Sequence, residues 1–238
     1  MTSIVSKRLS KEVYSCINDS ELHALGIWYA IEDANITKGR ALIKGNDDTP
    51  YEFCFGLFEF EFPSEYPFVP PKVKWITSDG YTRFHPHFYR EGRICLSILG
   101  NWSGPGWTSA LNIKSLLIIL KSLFIENPLS CEPGYEKGTL EMSRYKDYSN
   151  YVEHKFIKYM LHQGYLWKKG EHRESHVWKY FEEVINNEWP DVFAKLKQKV
   201  FEKQNHPDQE WINVAFQMTG KTDWKQLAEM VVKIESLS

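Results

Sequence analysis

The sequence predicts an α+β fold: a short helix, an antiparallel four-stranded sheet, and a long helical region after it. Three observations carry this reading. Leu9, Val13 and Ile17 recur at helical spacing within residues 7–18. Four strand-like runs follow at 26–31, 40–44, 51–62 and 72–77, separated by turn-rich pieces such as Gly45-Asn46-Asp47-Asp48 and Pro70-Pro71. Beyond Tyr145 apolar residues recur only at helical spacing. Hairpin-linked strands with helices segregated before and after them predict α+β packing rather than alternating βαβ units.

In the third strand Phe53, Phe55 and Leu57 share one parity and Phe58, Phe60 and Phe62 the other. Either both faces of that strand are covered or a bulge near Gly56 switches its register. Residues 80–108 are dense in Gly, Pro, His and Trp with little periodicity, and a long irregular segment inside a compact domain is usually functional. Ile113, Leu116, Leu117, Leu120 and Phe124 then mark a buried helix that Pro128 stops. Five apolar stripes follow Tyr145. Val152, Phe156, Tyr159 and Met160 form the first, closed by Gly164, and Val177, Phe181, Val184 and Ile185 the second, ended by Pro190. Phe193, Leu196 and Val200 form a third; Trp211, Val214, Ala215 and Met218 a fourth; Trp224, Leu227, Val231 and Ile234 a fifth, with Asp223 and Gln226 as a capping box. The expected organisation is a core over 1–145 and a helical extension over 146–238 packed on or beside it, with its linker near Arg173.

Of 238 residues, 42% are apolar and 25% charged, as in ordinary globular chains. The formal charge of −2 gives no electrostatic reason for a nucleic-acid or membrane partner. The amino terminus turns basic at Lys7-Arg8 before an apolar core forms, so no signal peptide is read. The apolar run 116–120 falls far short of the ~20 residues of a membrane span. Cys16, Cys54, Cys95 and Cys131 show neither CxxC spacing nor a neighbouring His pair. That argues against a zinc site and for a reducing setting, cytoplasmic or nuclear.

Cys95 differs in context from the other thiols. It lies in Gly92-Arg93-Ile94-Cys95-Leu96-Ser97, downstream of His85-Pro86-His87, whereas Cys16 and Cys54 fall in apolar patterns expected of a core. The thiolate is the reactive form of cysteine, and Arg90 and Arg93 nearby could favour it. The other reading of Cys95 is a small buried hydrophobe.

Four strings in order resemble the ubiquitin-conjugating (E2) family. They are Thr49-Pro50-Tyr51-Glu52; Phe62-Pro63-Ser64-Glu65-Tyr66-Pro67-Phe68-Val69-Pro70-Pro71-Lys72-Val73; His85-Pro86; and Gly92-x-Ile94-Cys95-Leu96-x-Ile98-Leu99. The longer tail Leu99-Gly100-Asn101-Trp102-Ser103-Gly104-Pro105-Gly106-Trp107 is similar to the E2 Z-like subgroup, as are Glu126-Asn127-Pro128 and Glu132-Pro133-Gly134-Tyr135. The resemblance covers residues 6–145 and implies the UBC fold. It also implies a two-step acyl relay. Ubiquitin or a ubiquitin-like modifier passes from an E1 enzyme to the cysteine matching Cys95 as a thioester. It then passes to a lysine or amino-terminal amine of a protein substrate, usually with an E3 ligase bound. The family implies no metal and no bound cofactor, ATP being used by the E1.

Where this sequence has His87 the family usually has Asn, credited with stabilising the oxyanion. An imidazole could replace that donor or simply pin the loop. Family members often place an Asp or Ser that orients the amine where Ser130 stands, and Glu132 close behind is a carboxylate able to act as base. Phe68 matches the first E3-contacting loop, and Ser109 with Ala110 the second, where many members have Pro-Ala. Lys7 and Arg8 lie where the first helix often meets the E1. Trp102 and Trp107 read as packing residues of the extended loop. Two alternatives stay open: a catalytically weak E2-like ubiquitin-binding module, and a thiol hydrolase pairing Cys95 with His85 or His87.

Overall fold

The computed structural model describes residues 3–32, 35–136, 142–171 and 178–237. Helices α1 (Ser3–Ile17) and α2 (Ser20–Ala24) precede strands β1 (Ile27–Glu32), β2 (Asn35–Lys44), β3 (Phe55–Glu61) and β4 (Lys72–Trp75). The strands form one antiparallel sheet in chain order. Asp19 starts α2 by accepting the N–H groups of Glu21 and Leu22, two donors the helix itself leaves unpaired.

Strand β3 resolves the parity question. It pairs with β2 from Phe55 to Glu61 without a register shift, and Phe55, Leu57, Phe58 and Phe60 are all buried. Both faces are covered and no bulge is needed. Gly56 is there for space: a Cβ would stand 2.7 Å from Trp75 and 2.8 Å from Phe124. On the face shared by Tyr29, Ala41 and Phe58 the sheet packs against α1 and α3 (Ile113–Ser122).

The opposite face carries Trp28, Arg40, Leu42, Lys44, Phe55 and Leu57. The carboxy-terminal region roofs it. Lys44 bonds Glu188 of helix α5 (Glu182–Lys203) at 2.8 Å, and Arg40 lies 5.9 Å from the ring centroid of Tyr180 in the 3₁₀ turn just before that helix. Arg40 also meets Glu59 at 2.6 Å and Glu32 at 3.3 Å, so its nearly buried charge is neutralised within the sheet.

Helix α4 (Met142–Lys168) is common to core and extension, and the expected boundary near Tyr145 falls in its first turn. Its Phe156 meets Tyr51, Trp75 and Phe84 of the core. Its Glu153 bonds Lys199 of α5 at 2.6 Å, and Lys199 reaches back to Glu52 at 3.2 Å.

Several stripes resolve differently from expectation. Helix α4 runs through Gly164 instead of ending there, because a ring atom of Trp189 would stand 2.0 Å from any Cβ at that position. The glycine admits a neighbouring helix rather than terminating its own. Helix α5 likewise passes through Pro190, so the second and third stripes join in one element. A proline forfeits one hydrogen bond, and burial of Trp189, Val192, Leu196 and Val200 along one side outweighs that loss. The fourth stripe is no helix. It is a hairpin of β5 (Glu210–Trp211) and β6 (Gly220–Lys221), whose loop holds Asn213, Phe216 and Gln217 at positive φ. The fifth is helix α6 (Trp224–Glu235), but without the capping box. Asp223 turns its carboxylate to His154 (2.7 Å) and Lys158 (2.6 Å) of α4, and Gln226 also meets Lys158. The Lys158 ammonium draws the carboxylate away from the backbone N–H groups it would otherwise cap. The linker expected near Arg173, and Val177 of the second stripe, lie outside the described residues.

Candidate active site

The irregular segment expected to carry function is held by specific bonds. His85 is fully buried, and its Nδ1 accepts the His87 N–H at 3.0 Å. Burial holds its ring well below the usual histidine range, so it is neutral and structural. The chain then doubles back to Cys95: an antiparallel bridge joins Phe88 and Ile94, and the Cys95 N–H donates to the His87 carbonyl at 3.0 Å.

The His87 ring adds a second bond, Nδ1 to the Cys95 carbonyl at 2.5 Å. A carbonyl oxygen only accepts, so Nδ1 carries the proton. Burial is the largest influence on this ring and lowers its pKa below the ordinary 6.5, while the Cys95 carbonyl and Glu132 oppose it. The Nδ1–H is taken by the Cys95 backbone, and the ring also meets the Cys131 backbone, so the imidazole is held by main-chain groups on both sides.

Asn101 holds the other side of Cys95, although nothing in its spacing marks it. Its Oδ1 accepts the Leu96 N–H at 2.9 Å and its Nδ2 donates to the Ile94 carbonyl at 2.8 Å. The 3₁₀ turn Ser97–Leu99 and left-handed Gly100 (φ 74°) bring it back to this position. That Gly-Asn pair after a short apolar turn was the available signal. Trp102 packs edge-on to His87 at 5.5 Å, and Trp107 donates to the Pro67 carbonyl at 2.7 Å, as packing roles require.

The Cys95 residue is 2% exposed. Neither arginine expected to favour its thiolate is turned to it. Arg90 donates to the Phe216 carbonyl at 2.8 Å, and Arg93 lies over Tyr89 and beside Glu91. Among the described residues the His85 and His87 Nδ1 atoms bond to backbone groups rather than to the Cys95 thiol. Ser130 donates to the Asn127 carbonyl at 2.7 Å, and Glu132 faces Arg83 at 3.9 Å.

Phe68 is 77% exposed, Ser109 and Ala110 are exposed, and the Trp107–Pro67 bond draws their two loops together. Lys7 is exposed, while Arg8 turns inward to Glu12 (2.7 Å) and the Leu111 carbonyl (3.1 Å). Cys16 and Cys54 are buried, and burial pushes the Cys16 thiol up to about 12 and the Cys54 thiol well above its usual value. Among the described residues no three His, Cys, Asp or Glu are placed to hold a metal ion. No described helix is long and apolar enough to cross a membrane.

An α+β fold that fixes one cysteine in a bonded loop after a His-Pro-His turn defines a class of protein, and sequence comparison gives that class its name. The profile of the ubiquitin-conjugating enzyme family matches residues 8–160, and the chain belongs to that family. Within it the chain is similar to ubiquitin-conjugating enzyme E2 Z of Homo sapiens, 45% identical over 134 residues, which are 56% of this chain and 38% of that protein. It is also similar to probable ubiquitin-conjugating enzyme protein 17 of Caenorhabditis elegans, 36% identical over 195 residues, 76% of this chain and 26% of that one. The chain thus spans well under half the length of these relatives. Among solved structures, the E2 domain of a Toxoplasma gondii ubiquitin conjugating enzyme aligns over 63% of this chain and 97% of its own, at 26% identity and a TM-score of 0.47.

Proposed function

We propose that this chain takes ubiquitin or a ubiquitin-like modifier from an E1 onto Cys95 and passes it to an amine of a protein substrate, with an E3 ligase bound. The observation that supports this is the fixing of the Cys95 segment from both sides by His87 and Asn101. In loading, the Cys95 thiolate attacks the E1-bound thioester carbonyl, and the E1 sulfur leaves as a thiolate. In discharge a neutral amine attacks the new thioester. The tetrahedral oxyanion collapses, the bond to Cys95 breaks, and the amine's extra proton passes to water or a base.

A thioester is already activated, so placement is the chief contribution the protein makes. ATP is consumed by the E1, and neither step calls for a cofactor on this chain. Phe68, Ser109 and Ala110 form the E3-facing surface, and Lys7 and Arg8 the E1-facing end of α1. Glu132 is the carboxylate assigned to the amine's path. The burial of Cys95 favours a second reading, a module that binds ubiquitin without carrying it. Incubation with several E1–modifier pairs and ATP decides between them. A thiol-sensitive adduct at Cys95 supports the carrier; retained binding without an adduct supports the module.

His87 gives a pH prediction. Its role in this proposal is to brace the Cys95 carbonyl, a task an Asn side-chain amide can share. His87→Ala is expected to load nearly normally and to discharge slowly to free lysine, by less than the ~100-fold that losing a direct oxyanion donor costs. His87→Asn should recover most of the rate. Because burial lowers the ring pKa from its ordinary value, any inflection that wild type shows and His87→Asn lacks should lie on the acid side of the ordinary histidine range. Single-turnover discharge across pH checks this, and a wild-type inflection above 6.5 that the Asn variant lacks would contradict it.

A further inference from the structure

The hairpin near the carboxy terminus reaches the active-site segment. Arg83 lies between two rings, its guanidinium carbon 3.9 Å from the centroid of Tyr89 and 4.0 Å from that of Phe216. Held there, it donates from Nε at 3.1 Å and from Nη2 to the Pro86 carbonyl, in the middle of the His-Pro-His turn. The same loop makes further bonds to this segment. The Arg83 N–H donates to Met218 Sδ at 3.1 Å, Arg90 donates to the Phe216 carbonyl, and the Thr219 N–H donates to the Tyr81 hydroxyl at 2.8 Å.

Phe216 has φ of 50°, a left-handed conformation uncommon for a bulky side chain. Such a conformation persists where surrounding contacts over-determine it. Here they do: Tyr148 of α4 packs edge-on to Phe216 at 5.9 Å and donates from its hydroxyl to the Arg83 carbonyl at 2.8 Å. The loop's backbone is bent so that one aromatic ring covers one guanidinium.

We infer that Phe216 is a positioning residue for the Cys95 site: it presses Arg83 into the fork that holds the Pro86 carbonyl, and so fixes the turn on which His87 braces Cys95. The active site is then assembled from two segments that are 126 residues apart at the Arg90–Phe216 bond. Phe216 touches neither modifier nor amine; it acts through Arg83. An aromatic face serves this role because a guanidinium is attracted to the ring's negative face, which an aliphatic side chain of similar bulk lacks.

The inference rests on the thioester reading of Cys95, so its test carries one readout that does not. Wild type, Phe216→Leu, Phe216→Tyr, Arg83→Lys and the Arg83→Lys/Phe216→Leu double variant are compared. Phe216→Leu keeps apolar bulk so that folding is retained. The first readout is the rate at which iodoacetamide alkylates Cys95, followed by peptide mass spectrometry. The second is single-turnover discharge of preloaded ubiquitin against lysine concentration.

Phe216→Leu and Arg83→Lys are expected to speed alkylation of the buried Cys95. Misplacement by a full ångström can cost ~100-fold, and a loosened turn is expected to lower the maximal discharge rate by about tenfold, with the half-saturating lysine concentration unchanged. Phe216→Tyr should match wild type in both, and the double variant should be no worse than Arg83→Lys alone, since both act through one contact. Leu performing as well as Tyr in both readouts, or effects that add in the double variant, would overturn the inference. Failure of the wild-type protein to accept ubiquitin would sink the thioester reading instead, and the alkylation rates would still judge Phe216.

Discussion

Replacing Cys95 with Ser is expected to convert a thiol-labile ubiquitin adduct into one that survives reducing agent, and to stop its transfer to lysine. An oxygen ester is a weaker electrophile than a thioester, and an alkoxide is a far poorer leaving group than a thiolate. Serine therefore retains whatever it accepts. Cys95→Ala should form no adduct; the loss of a covalent nucleophile costs ~10⁶-fold in a serine protease, which here means no detectable transfer. Replacing the other cysteines singly with Ala should leave loading in place. Cys16 and Cys54 are buried with thiols raised by that burial, and Cys131, half-buried, is raised in the same way. A gel with and without reductant reads each variant. Thiol-labile loading of Cys95→Ser would remove the assignment.

Ending the chain at Tyr145 is expected to abolish cooperative folding. The cut leaves only the first turn of α4 and removes Phe156 from between Tyr51, Trp75 and Phe84. It also removes the helix over the sheet face that carries Trp28, Leu42, Phe55 and Leu57. Uncovering these seven large apolar side chains forfeits roughly 10–20 kcal/mol, comparable to the entire stability of an ordinary domain. A chain ending at Lys168 restores Phe156 but leaves that sheet face bare, so it should fold and remain prone to aggregation. Calorimetry and near-ultraviolet circular dichroism of the three lengths test this. A sharp transition in the shortest form, with loading equal to the full chain, would show that the extension has another role.

The core was readable because its patterns are local. Period-two alternation, turn residues and one well-patterned helix locate β1 to β4 and α3, and the ordered motifs around Cys95 name the family. The extension was less readable because its decisive interactions join residues distant in sequence. Gly164 and Pro190 ordinarily end helices, yet here one makes room for Trp189 and the other sits in a helix held by burial. Asp223 has the pattern of a cap, but a histidine and a lysine on another helix take its carboxylate. At the site, the position of His87 was legible and its tautomer was not, since only the fold puts the Cys95 carbonyl against Nδ1. Arg83 gave no warning and Asn101 only the Gly100-Asn101 pair, because each acts on backbone groups that no spacing rule exposes.

The roofed sheet has a consequence during synthesis. Strand β3 is complete at Glu61, whereas α5 ends at Lys203, so the sheet leaves the ribosome well before its cover. At ~5–20 residues per second the interval is roughly 7–30 s. Throughout it Trp28, Leu42, Phe55 and Leu57 form an open apolar surface on a nascent chain, long enough for a chaperone to bind. A message broken or terminated early within α5 leaves that surface permanently open, and its product is a substrate for quality control rather than a shortened enzyme.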